Sequence, residues 1–138
     1  MSEQEELSFE VSELATLDEI GRRLRADGWA AHVTVVRLLQ DWQALAISAD
    51  RYVLTVDDFT NDLTARDGLE IVLGWCEGTL HAKLKAPIEQ ADGEFIARTR
   101  DDDGSILGRF YRIDDSAGWW WKRRPAAGPL ADYLATTM

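Results

Sequence analysis

Asp58 and Asp62 stand four residues apart, with Asp57 and Asn61 beside them, so a helix there projects both carboxylates from one face. Paired carboxylates run acid–base chemistry when their surroundings push the two pKa values apart, and they hold a metal when further ligands join them. Those companions are missing here, and Thr60 and Thr64 read as a wet face. The first reading is a solvated helix start, and the functional one is an acidic partner-binding patch of Asp57, Asp58 and Asp62. A catalytic or metal site has the least behind it.

The second feature is Trp119-Trp120-Trp121 followed by Lys122-Arg123-Arg124. Along an extended segment, alternate residues face opposite sides, so three consecutive indoles cannot all enter one core. That alternation sets Trp119 and Trp121 on one side and Trp120, the expected open one, on the other. The segment either covers the helices, with Lys122–Arg124 meeting acids of the N-terminal half, or offers Trp119, Trp120 and Trp121 as a hot spot for a partner. Stacking on nucleic-acid bases is the third possibility, and a net charge of −10 counts against it.

The remaining reactive types are sparse. His32 and His81 lie 49 residues apart and belong to no paired helical motif, so each reads as a surface or boundary histidine. Cys76 sits on an apolar stripe with no basic neighbour to make a thiolate. As the one cysteine, it excludes an internal disulfide and a multi-thiolate metal site. No phosphate-cradling loop is present, and Ser105 has Asp103 where a nucleophile elbow needs glycine. A calcium loop from Asp57 meets Asp62 where glycine belongs, and one from Asp101 ends on Arg112 where a bidentate glutamate belongs. No metal and no cofactor is expected.

These groups are carried by a chain with helical periodicity. Thr16 and Glu19 have capping-box spacing ahead of Leu17, Ile20 and Leu24, with Gly28 as a stop, which predicts a first helix. Val35, Leu38, Leu39, Trp42, Leu45, Ala46 and Ala49 make one apolar stripe over about four turns, the clearest helix in the chain. Thr55 is placed to cap a third helix beginning with Asp57 and Asp58, and Asp67-Gly68 interrupts its pattern as a turn or a tolerated weak point. Leu69–Leu73 suits a resumed helix or a short buried strand. Leu80, Leu84, Ile88, Ala91 and Phe95 then predict a helix with Pro87 inside it, where a kink is expected. Beyond Asp101–Gly104, the segments Ile106–Ile113 and Trp119–Lys122 are expected to pair as a hairpin, and Pro129–Ala135 to add a helical turn or two.

The expected fold is therefore mainly α, an antiparallel bundle of about four helices with a C-terminal aromatic segment or hairpin, residues 1–138 forming one domain. The alternative is α+β with a small sheet. Of 138 residues, 46% are hydrophobic, too many for a disordered chain, yet no run is long enough to cross a membrane. The start MSEQEELSFE is acidic where a signal peptide is basic, which points to a cytoplasmic protein. Charge is uneven: residues 1–27 and 28–78 each carry eight acids and three arginines, whereas the tail from Gly104 has three acids and five bases. Such a body steers toward basic surfaces and away from phosphate backbones.

Small size, acidity and aromatics without catalytic groups lead to a binding protein rather than an enzyme. The expectation is an immunity- or antitoxin-like inhibitor that neutralises a basic toxin or enzyme by surface complementarity. No nucleic-acid or membrane partner is expected. The alternatives are a small enzyme using Asp58, Asp62 or His81 in a bundle crevice, and a structural homodimer whose tryptophans are covered.

Overall fold

The computed structural model describes residues 8–136. Helix α1 spans Val11–Ala26, α2 Val35–Ser48, α3 Val56–Trp75 and α4 Gly78–Arg98. Strands β1 (Thr99–Asp101) and β2 (Arg123–Pro125) follow, and α5 (Pro129–Thr136) ends the described chain. The molecule is a mainly helical bundle with a small two-stranded sheet.

Helix α2 is central, packing extensively on both α3 and α4, which touch each other little. The Thr34 hydroxyl accepts from the Arg37 amide at 3.1 Å, so a side-chain cap offsets the weak β-branched first turn. Every member of its predicted stripe is buried. Trp42 lies fully inside, with its ring 4.9 Å from that of Phe95 on α4.

Two local expectations are corrected. Helix α1 begins at Val11, not after Thr16: the Glu10 amide donates to Glu13, while Thr16 bonds back to the Ser12 carbonyl inside the helix. Helix α3 runs unbroken through Asp67-Gly68, which rules out a strand at Leu69–Leu73. The glycine is there for packing. A Cβ on Gly68 would lie 2.9 Å from Leu38 and 3.0 Å from Trp29, so its absence lets both side chains press on α3. Helix α4 runs on through Pro87 with Leu80, Leu84, Ile88, Ala91 and Phe95 buried.

The C-terminal hairpin does not form as expected. Ile106–Ile113 and Trp119–Lys122 are not paired strands, and each contains a 3-10 turn. Instead β1 pairs antiparallel with β2, with Thr99 opposite Pro125 and Asp101 opposite Arg123. The reason lies in the acidic loop between them. Asp102 accepts from the amides of Gly104 and Ile106, and Asp103 and Gly104 take positive φ, turning the chain away from β1. Gly128, at φ +96°, then passes so close to the α2–α3 connection that a Cβ on it would lie 2.6 Å from the Asp50 carbonyl oxygen. Leu130 donates to the Tyr52 carbonyl and seats α5 against the α2–α3 connection.

Candidate functional site

The aromatic triplet is docked on α3 by two consecutive charged residues. Arg66 is 5% exposed, and its guanidinium grips Asp92 of α4 through Nε at 2.8 Å and Nη2 at 3.1 Å. Nη1 reaches Glu70 at 2.9 Å, and the Trp42 indole donates to Asp92 at 3.0 Å. Burial works against the Arg66 charge, but the bonds and charges of Asp92 and Glu70 outweigh it and raise the pKa. The Trp120 ring covers this guanidinium at 4.4 Å, a cation–π contact in a dry setting. Next door, Asp67 accepts the indole N–H of Trp120 at 2.8 Å and that of Trp121 at 2.9 Å.

The expected alternation of the triplet is overturned. Trp119–Lys122 is a 3-10 turn, so successive side chains diverge by about 120° instead of alternating. Trp120, expected open, is 4% exposed, whereas Trp119 is 37% exposed and Trp121 is half-buried. Gly118 makes this possible, since a Cβ there would collide with the Trp120 ring. The basic run also goes elsewhere than expected. Arg123 bonds Thr99 and the carbonyl of Ile96 at the end of α4, not acids of the N-terminal half.

The acidic trio is split among three tasks. Asp58 closes a capping box with Thr55 at the start of α3. Asp57 accepts the Tyr111 hydroxyl. Asp62 accepts the Tyr52 hydroxyl at 2.7 Å, and burial, with Asp41 and Asp58 nearby, raises its pKa despite that bond. Thr60, expected on a wet face, is buried and bonded to the Val56 carbonyl, whereas Asp57, Asp58 and Asn61 are exposed. Cys76 is buried, and burial alone pushes its thiol up, as befits a small core residue.

A half-open groove of about 530 Å³ runs between the α1–α2 connection and α3. Asp27, Asp41, Asp62 and Asp67 line it, with Trp29 and His32. No lysine or arginine is among the lining residues. Burial raises the pKa of Asp67 as well, outweighing the two indole donors and the nearby Arg66 charge. Asp67 also borders a second cavity of about 470 Å³, with Tyr111, Arg112 and Trp121 on its walls.

No family model, curated protein or solved structure matches this chain.

Of the acidic trio and the aromatic triplet, Asp62 alone lines the groove, together with His32 and Asn61; Trp121 adjoins it through Asp67. Asp57, Asp58 and His81 do not line it. The groove residues missed were Asp27, Trp29, Asp41 and Asp67. Asp67 carried one usable signal, since an Arg66-Asp67 pair beside apolar Leu63 and Leu69 must find partners once buried. Among the described residues, no three His, Cys, Asp or Glu side chains are placed to hold a metal, and no helix is long and apolar enough to cross a membrane.

Proposed function

We propose that this chain is a stoichiometric binding protein, immunity- or antitoxin-like in character, which neutralises a basic protein partner. The observation that supports this most is the groove, which has four carboxylates and no lysine or arginine on its walls, Asp41 alone being ion-paired among the described residues, with Arg37. Acidic walls around a concave site focus the field and attract cationic groups, and the overall charge of −10 steers their approach from further away. The test begins with the tagged protein as bait in extracts of its native host at low salt. The captured partner is then purified and titrated back by calorimetry. A basic protein binding one to one, with its activity blocked and its association slowed by salt, is the expected result. A partner that is acidic, or whose association ignores ionic strength, overturns the reading.

One observation favours a second reading. Asp62 and Asp67 both have pKa values raised by burial at the same groove, and perturbed carboxylates gathered in a cleft are a mark of functional sites. It supports a small enzyme with Asp62 in the site, and not with Asp58 or His81. Turnover of a small molecule that Asp62→Asn abolishes without weakening partner binding is the result that would favour it.

A further inference from the structure

The acidic groups of the bundle are not equivalently compensated. Asp92 is half-buried and has a full countercharge, because Arg66 meets both of its oxygens. Asp62 and Asp67 are half-buried too, but every hydrogen bond they receive comes from a neutral donor. Tyr52 donates to Oδ2 of Asp62, and Trp120 and Trp121 donate to Asp67. Arg66 acts on Asp67 only through space, its nitrogens being engaged with Asp92 and Glu70. A partly desolvated carboxylate held by neutral donors keeps its charge at a cost that a cation brought from outside relieves. Asp62 and Asp67 lie five residues apart on α3, and both line the groove.

We propose that this groove is an arginine pocket, in which Asp62 and Asp67 hold the guanidinium of one arginine presented by the partner, beside the indole of Trp29. The proposal rests on the basic-partner reading and adds which side chain enters and what receives it. Three observations favour arginine over lysine. The carboxylates without an ion-pair partner among the described residues come from two places, Asp27 after α1 and Asp62 and Asp67 on α3, and a planar fork with five donors serves dispersed acceptors better than one ammonium. Trp29 supplies an aromatic wall of the kind on which guanidinium groups stack. The protein also builds this arrangement from its own residues, with Arg66 between the Asp92 carboxylate and the Trp120 ring, and Arg23 3.9 Å from the Trp75 ring centre. A groove of about 530 Å³ has room for an arginine with its flanking backbone, and the carboxylates alone, without that concavity and aromatic wall, would carry no such assignment.

The experiment titrates the full-length, isotope-labelled protein with acetyl-Gly-Arg-Gly-amide and, separately, acetyl-Gly-Lys-Gly-amide. The Trp29 indole N–H resonance is followed by NMR. The arginine peptide is expected to shift it saturably and to bind more tightly than the lysine peptide. Asp62→Asn and Asp67→Asn should each weaken that binding by roughly fivefold, the scale of a partly exposed ion pair, while Asp132→Asn on α5, which does not line the groove, leaves it unchanged. If Asp67→Asn disturbs the indoles it anchors, Asp62→Asn and Asp27→Asn carry the test. Equal binding of the two peptides, or no loss in the groove variants, overturns the proposal. The two readings fail separately. A basic partner that still binds the groove variants at full strength removes the arginine pocket and keeps the proposed function. Saturable arginine binding with no basic protein partner keeps the pocket and removes the function.

Discussion

Replacing Asp92 with alanine tests the central claim about how the bundle holds its C-terminal segment. The side chains of Arg66 and Asp92 are 6% and 16% exposed, so solvent screens the pair little. Removing the carboxylate leaves the Arg66 guanidinium without its bidentate partner and the Trp42 N–H without an acceptor. Breaking one side of a buried pair costs about 3–5 kcal/mol, and an orphaned buried donor adds about 1–3 kcal/mol. Glu70 still reaches Arg66, but its own side chain is 62% exposed and recovers only part of the loss. The net expectation is about 4 kcal/mol, a large share of the roughly 5–15 kcal/mol available to a domain. In urea, with a slope near 2 kcal/mol per molar, the midpoint should fall by about 2 M. Paired apolar replacement, Arg66→Met with Asp92→Leu, should recover the part of the loss due to the unpaired charge, because it removes both charges together, while the Trp42 N–H stays without an acceptor. A loss below about 1 kcal/mol for Asp92→Ala, or no recovery in the double variant, would show that the pair is not what secures α4 to α3.

Three further outcomes follow from the same geometry. Trp120→Ala should cost about 3–5 kcal/mol as a buried large-to-small change, and Trp119→Ala markedly less; equal costs measured by denaturant unfolding would contradict the 3-10 arrangement. Gly128→Ala combines a positive φ with a 2.6 Å approach to the Asp50 carbonyl, and should lower the melting temperature by several degrees, whereas an unchanged melting temperature would mean that α5 docks differently. For Asp62, burial raises the folded pKa above the unfolded one, so its contribution favours folding at low pH and is lost as pH rises through the folded value. Asp62→Asn, whose amide oxygen still accepts from Tyr52, should therefore raise the melting temperature at pH 7, with the gain fading as pH falls through the folded pKa and gone below the ordinary carboxylate range. A gain independent of pH would place the cause elsewhere.

How much of this was legible beforehand depends on the range of the interaction concerned. The stripes of α2 and α4 were readable residue by residue, because burial of a helix face repeats every 3.6 residues and leaves that period in the sequence. The Thr55 cap was readable for the same local reason, since donor and acceptor are three residues apart. The start of α1 was misplaced even so, because Glu10 with Glu13 and Thr16 with Glu19 offer the same spacing and only packing chooses between them.

The site itself had no such period to betray it. Arg66 and Asp92 meet across 26 residues and Trp42 and Asp92 across 50, on helices whose relative placement no local pattern encodes. The triplet was read as extended because its residue types favour strands, yet Asp67 and the Arg66 guanidinium draw the Trp120 indole inward and wind the backbone into a turn. The strand pairing of residues 99–101 with 123–125 likewise depends on where α4 ends and where Arg123 finds the Thr99 hydroxyl. By itself the sequence determined a charged, helical, single-cysteine chain with a recognisable core. The tertiary structure alone decided that Asp92 obtained a countercharge across helices while Asp62 and Asp67 were left to neutral donors at an open groove, because pairing between distant charges is settled by the packing of whole helices.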